Sequence, residues 1–318
     1  MKAIVQDRYG TPDELRLADV DQPSVDDDDV LVRVRAASVN VLDWRRVRAA
    51  PVVLRLEEGL RRPRQPVLGI DAAGHVEAVG KNVTHVAPGD EVFGTGRGSF
   101  AEYVTGRAFV PKPAGLSFEA AAAVPVAGLT ALQALRDKGA ITPRKRVLIY
   151  GAGGGVGTFA VQLAKDVGSE VTAATSPAGL EIVGSIGADR VIDYMRADPT
   201  SGATRYDLVV DVGGYRSVAA CRRAVAPGGT LVLVGAGAGP GGPMGRFLEA
   251  SVRSRILRQR VVAFVSTQSS GDLLALARRI EAGKVTPIID RVYQLGETTE
   301  ALRYLETGQA RGKVVITI

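Results

Sequence analysis

One cysteine, Cys221, and two histidines, His75 and His85, are all that 318 residues offer as thiol or imidazole ligands. A lone cysteine excludes an intramolecular disulfide and any zinc site built from several thiolates. Cys221 falls in a helical pattern with Ala219, Ala220 and Ala224, so its expected place is the core. Aromatic residues are scarce as well, at 5% of the chain. A nucleic-acid reader needs aromatics as stacking platforms among its basic residues. The net charge of +6, with arginines grouped over Arg45–Arg64 and Arg253–Arg260, therefore reads as a solvated basic face or a funnel for an anionic ligand. No run of 18 uncharged apolar residues exists, and Met1–Arg8 lacks a signal-peptide core. The expectation is a cytoplasmic protein with neither membrane nor nucleic acid as partner.

What the chain has in abundance is glycine, 38 residues of it. The densest group lies in Val147–Gly168. A β-branched apolar run, Val147-Leu148-Ile149-Tyr150, has the character of a buried parallel strand. It breaks into Gly151-Ala152-Gly153-Gly154-Gly155-Val156-Gly157 and resumes at helical spacing with Phe159, Leu163 and Val167. Gly-x-Gly-x-x-Gly fails in this register, because Val156 holds the third position; Gly151-x-x-Gly154-x-x-Gly157 fits. Strand, glycine turn and helix form the first half of a dinucleotide-binding βαβ unit. Glycines let the backbone approach a pyrophosphate, and the free N–H groups of the helix start attract its charge.

Around that stretch the chain changes character. Residues 1–118 are β-rich, with strands expected at Lys2–Gln6, Val30–Ala36, Gly74–Val79 and Glu91–Phe93. The run Asp26–Asp29 reads as a solvated turn. From Leu116 the spacing turns helical, and strands then alternate with helices: Glu170–Thr175, Arg190–Tyr194, Leu208–Val212 and Thr230–Val234, with helices Leu180–Ile186 and Ser217–Val225 between them. Alternation of this kind demands a parallel sheet with right-handed crossovers. A loop at Gly235–Gly245, a basic helix, strand Val261–Val265, helix Leu273–Glu281, strand Thr286–Leu295, helix Glu300–Glu306 and strand Lys313–Ile318 complete the reading.

Several longer motifs carry a resemblance that covers nearly the whole chain. They are Val39-Asn40-Val41-Leu42-Asp43-Trp44, Leu68-Gly69-Ile70-Asp71-Ala72-Ala73-Gly74, Pro88–Gly94, Phe100–Tyr103, Gly128-Leu129-Thr130-Ala131, Gly187–Asp189 with Val191–Tyr194, and Gly312–Val315. With the glycine turn, they resemble a zinc-independent medium-chain dehydrogenase/reductase of the quinone-oxidoreductase (zeta-crystallin-like) type. The resemblance implies an α/β protein: a GroES-like β-barrel domain (1–118 and 288–318) beside a Rossmann doubly wound parallel-sheet domain (119–287). Zinc enzymes of the wider superfamily carry cysteine where this chain has Asn40 and histidine where it has Ile70; neither residue present suits Zn²⁺.

The implied activity is metal-free, NADPH-dependent reduction of a small molecule, a quinone or an α,β-unsaturated carbonyl. Alternatives are a pathway-specific enoyl or ketone reductase, an NADPH-binding regulatory protein with little turnover, and an RNA-associated protein. Asn40 and Asp43 are the catalytic candidates, Asn40 otherwise capping a turn and Asp43 otherwise bonding nearby backbone. Relatives carry tyrosine where Arg45 stands, which leaves water as a candidate proton source. By resemblance Thr130, like Asn40, lies near the nicotinamide, and Ser176 and Tyr194 belong to the cofactor site. Gly151, Gly153, Gly154, Gly155, Val156 and Gly157 form the diphosphate turn. Gly235, Phe264 and Val265 are expected at the strand carboxyl edge, Phe264 otherwise being a core aromatic. Lys313 or Arg311 adds charge near the phosphates or is otherwise a plain surface residue. An NAD site places an acid after its second strand; here Thr175-Ser176-Pro177-Ala178-Gly179 has none, which favours NADP(H) over NAD(H). Relatives carry arginine or lysine where Ala178 and Gly179 stand, leaving Ser176 and Tyr194 to face the 2′-phosphate. A homodimer through the sheet edge near Val261–Val265 is a family-level expectation.

Overall fold

The computed structural model describes residues 1–50, 55–56, 59–214, 216–235 and 259–318. The chain divides into two compact units. The first comprises Met1–Ala127, Gln268–Ala282 and Pro287–Ile318; the second comprises Gly128–Thr267 and Gly283–Thr286. Among the described residues no helix is long and apolar enough to cross a membrane.

The first unit is built on a closed antiparallel sheet. Strands Val30–Val39, Asp71–Val79, Glu91–Arg97 and Tyr103–Pro111 pair in that order, and the last returns to pair with Val30–Val39. Closure leaves this set without an open edge. Lys313–Thr317 joins antiparallel to Val30–Val39, and Ile289–Gln294 lies parallel to Lys313–Thr317. Val32, Val76, Val92, Phe100, Val104 and Phe109 fill the interior. These strands outrun their expected lengths, and the sequence reading missed Tyr103–Pro111. The glycines explain why. The expected strand Glu91–Phe93 stops before Gly94, yet Gly94 and Gly96 lie within the strand, whose neighbour passes so close that a Cβ on Gly94 would sit 2.0 Å from the Ala108 carbonyl oxygen.

Among the described residues the second unit holds a six-stranded, wholly parallel sheet. Its order is Arg190–Asp193, Glu170–Thr175, Arg146–Tyr150, Tyr206–Asp211, Val225–Val234 and Arg260–Phe264. Numbered along the chain this is 3-2-1-4-5-6, the doubly wound order whose switch point lies beside the first strand. Burial on both faces accounts for the unbroken apolar runs Val147–Tyr150, Leu208–Val210 and Leu231–Val234.

The division differs from the expected boundaries at two places. Helix Phe118–Ala122 packs on the barrel strands, and helix Ser270–Glu281 packs on Tyr103–Pro111, so both belong with the first unit. Beyond Gly235, the loop expected to Gly245 and the basic helix after it lie outside the described residues.

Candidate functional site

The glycine turn follows the first strand of the parallel sheet, at its switch point. Helix Gly155–Asp166 starts there with Gly154 as N-cap, no capping side chain and no acid in its first turn. Three other helices carry a capping serine, Ser117, Ser217 and Ser269, each accepting a backbone N–H, whereas Leu180–Ser185 and Thr298–Glu306 also start without a side-chain cap. An uncapped helix start leaves N–H donors and the positive dipole end available to an anion.

The glycines divide by the space around them. Gly153 and Gly157 are buried. A Cβ on Gly157 would lie 2.2 Å from the Gly151 carbonyl oxygen, and one on Gly153 would lie 2.4 Å from Thr175 Oγ1. Those two positions serve the turn's own packing. Gly151 supplies the left-handed φ of +83° that opens the turn. Gly154 is different. A Cβ there would meet only the Gly151 oxygen, at 3.6 Å, and Gly154, Gly155 and Val156 are half-buried. The protein keeps room at Gly154 that its own packing does not use, and a diphosphate fits such a cradle.

The remaining cofactor candidates of this unit gather at the carboxyl ends of its strands. The Tyr194 N–H donates to the Thr175 carbonyl at 3.1 Å, which brings Tyr194 beside Ser176. The Tyr194 ring stacks on Tyr150 with centroids 5.5 Å apart, and Arg216 donates from Nε to the Tyr150 hydroxyl. A side chain at 179 would force Thr175 to move, because a Cβ on Gly179 would fall 2.3 Å from Thr175 Oγ1. Thr175 and Arg216 escaped the sequence reading. Thr130 is buried with its Oγ1 2.8 Å from Ser266 Oγ, and Gln133 pins Thr267 through two bonds, from Nε2 to the Thr267 oxygen and from the Thr267 N–H to Oε1. Gly235 has φ +63°, and its N–H reaches the Phe264 oxygen at 3.4 Å. Phe264 is buried beneath the Lys138 ammonium, whereas Val265 is 69% exposed.

In the first unit, strand register builds a buried polar cluster. Ser38 pairs with Asp71 and Val39 with Val314, so three neighbouring strands end together. Asp71 Oδ2 accepts from Ser38 Oγ at 2.8 Å, Asn40 Nδ2 at 2.9 Å and Lys313 Nζ at 3.4 Å; its Oδ1 accepts from the Val126 N–H at 3.0 Å. Lys313 Nζ donates also to Asn40 Oδ1 at 2.6 Å and the Val39 oxygen at 3.2 Å. Lys313 thus corrects the expectation that it lends charge to cofactor phosphates: its ammonium is engaged by three buried oxygens. Asp71 was overlooked, although a carboxylate among Ile70, Ala72 and Ala73 signals a buried partner.

Asn40 is the N-cap of helix Val41–Arg48, and its N–H donates to Asp43 Oδ2 at 2.8 Å. Asp43 is wholly buried, and its Oδ1 has no hydrogen-bond partner. Burial pushes its carboxyl up to about 7; Asp71 adds to this, while the Asn40 N–H, Arg46 and Lys313 oppose it.

A zinc ion does not suit these residues. The Asn40 oxygen already accepts from an ammonium, Ile70 is apolar, and Cys221 is buried in the other unit with its thiol toward Asp211. The His75 ring lies against Phe118, and His85 Nε2 is within 3.0 Å of the Phe109 oxygen. Among the described residues no group of three or more His, Cys, Asp or Glu residues is placed to hold a metal.

Residues 26–114 match the model of the alcohol dehydrogenase GroES-like domain, and residues 186–316 match that of a zinc-binding dehydrogenase. The chain is 36% identical to the 2-methylene-furan-3-one reductase of Solanum lycopersicum, over 99% of this chain and 79% of that protein. It is 33% identical, with the same coverage, to the chloroplastic NADPH-dependent alkenal/one oxidoreductase of Arabidopsis thaliana. The quinone oxidoreductase structure from Coxiella burnetii superposes with a TM-score of 0.88 at 32% identity, covering 100% of this chain and 99% of that one.

Proposed function

The chain belongs to the medium-chain dehydrogenase/reductase family, and from that premise we propose that it is an NADPH-dependent reductase acting on a quinone or an α,β-unsaturated carbonyl compound. The observation that carries this reading is the unfilled space at Gly154 beside an uncapped helix start, at the switch point of the sheet. The relatives supply the chemistry, since their names include a furanone reductase, an alkenal/one oxidoreductase and a quinone oxidoreductase.

Reduction of either acceptor consumes one hydride and one proton. The reduced nicotinamide, when bound, supplies the hydride. Gly155 and Val156 would hold the diphosphate through backbone N–H groups, with Gly154, whose own N–H donates to the Gly151 oxygen, leaving room for its approach, and Ser176 and Tyr194 would face the 2′-phosphate. The turn Thr175–Gly179 presents no carboxylate to repel that phosphate. Asp43, whose buried carboxyl is pushed up to about 7, is the proton-holding residue of this scheme. Asn40 is a positioning residue in this scheme. Both ends of its carboxamide are bonded within the cluster, so it offers no spare N–H to an acceptor oxygen.

The test is NADPH oxidation with a chelator present, offering an ortho-quinone and a simple enone separately. Turnover of at least one acceptor is expected, with NADPH preferred to NADH. Bound NADPH with no turnover of either acceptor would replace the reductase by a regulatory binding protein.

We propose further that the protein works as a homodimer. Strand Arg260–Phe264 pairs on one side only among the described residues, and an open apolar edge calls for a cover. Gel filtration at micromolar concentration should give twice the chain mass of 33.3 kDa; a monomer peak would remove this part of the reading.

A further inference from the structure

We propose that Lys313 and Asp71 are positioning residues, which together lock the Asn40 carboxamide and so fix the residue whose backbone N–H holds Asp43. The inference rests on the proton-holding role given to Asp43 above, and it starts from the donor and acceptor inventory of the cluster. An ammonium only donates and an ionised carboxylate only accepts. With Lys313 Nζ at 2.6 Å from one end of the Asn40 amide and Asp71 Oδ2 at 2.9 Å from the other, the orientation of that amide is forced. All three ammonium protons have acceptors: Asn40 Oδ1, the Val39 oxygen and Asp71 Oδ2. Both Asp71 oxygens are engaged as well. The pair is almost wholly out of water, at 4% and 0% side-chain exposure.

A buried ion pair gives no assured gain in stability over a well-packed apolar pair, so its presence points to a use. Here it fixes Asn40, and Asn40 in turn holds Asp43 through its backbone N–H. Four groups act on the Asp43 carboxyl: the Asn40 N–H, the guanidinium of Arg46 on its own helix, the Asp71 carboxylate and the Lys313 ammonium. The two members of the pair act in opposite directions. Lys313 favours the charged form of Asp43, and Asp71 disfavours it.

That opposition gives a test that a purely structural role would fail. Lys313→Met should move the limb of the kcat/KM pH profile governed by Asp43 upward by about one pH unit, and Asp71→Asn should move it downward. Lys313→Arg should keep it in place. The double variant Lys313→Met/Asp71→Asn removes both charges together, which guards against loss of fold. Its limb should return near the wild-type position, while kcat falls at least tenfold because Asn40 is no longer locked. The same shifts should appear in the pH dependence of thermal stability, which needs no turnover. Absence of all turnover would therefore count against the reductase reading alone. Shifts of equal sign in the two single variants, an unmoved limb, or full kcat in the double variant would overturn the inference.

Discussion

Gly154→Ala is expected to leave the protein folded and to weaken NADPH binding on the order of a hundredfold, roughly 2.8 kcal/mol at 1.4 per factor of ten. The backbone at Gly154, φ −86° and ψ 176°, is one that alanine adopts without strain. Its new Cβ would meet only one protein atom, the Gly151 oxygen at 3.6 Å, an ordinary contact. Replacing an N-cap glycine by alanine costs helix stability of roughly 0.5 kcal/mol, less than the loss of a Ser or Asp cap. The added methyl intrudes instead on the backbone-lined space that the diphosphate needs. Gly157→Ala is the control, since its Cβ would fall 2.2 Å from the Gly151 oxygen and force the turn itself apart. Fluorescence titration with NADPH, alongside thermal melts, separates the two outcomes. Unchanged NADPH affinity in folded Gly154→Ala would mean that the cradle is a tight turn and nothing more.

Asp43→Asn should make the protein more stable above neutrality while slowing it by a factor on the order of a hundred or more, the usual worth of a positioned proton donor. Asparagine keeps an oxygen for the Asn40 N–H but carries no charge to bury and no acidic proton. The sign follows from linkage. The folded carboxyl titrates near 7, above its ordinary value of 3.8, so between those limits the native state binds a proton that the unfolded chain has lost. Stability contributed by this group is full below about pH 4 and is lost as pH rises to 7, at roughly 1.4 kcal/mol per pH unit. Wild-type melting temperature should therefore fall across pH 5 to 7 more steeply than that of Asp43→Asn. Above pH 7 the variant should melt higher. A kcat unchanged by Asp43→Asn would reduce Asp43 to a helix cap.

The glycine turn and the alternation of strands and helices were legible because both are local. Backbone freedom and hydrophobic period are written into consecutive residues. Strand Glu170–Thr175 was read to the residue for that reason. The barrel strands came out short, because their length is set by neighbours distant in sequence, and a glycine needed for close approach looks like a strand end until the neighbour is in place.

The site divides along the same line. Sequence alone named Asn40, Asp43 and the glycines at 151–157 as candidates, and its single cysteine leaves no thiolate-built metal centre. Only the tertiary structure decided that Lys313 belongs with Asn40 and Asp71, 273 residues and 242 residues away along the chain. It alone separated Gly154, which leaves room, from Gly153 and Gly157, which fill their own turn. Burial decided the state of Asp43. A carboxyl's proton affinity depends on the water it has lost and the charges folded around it, and neither quantity exists until the strands are in register.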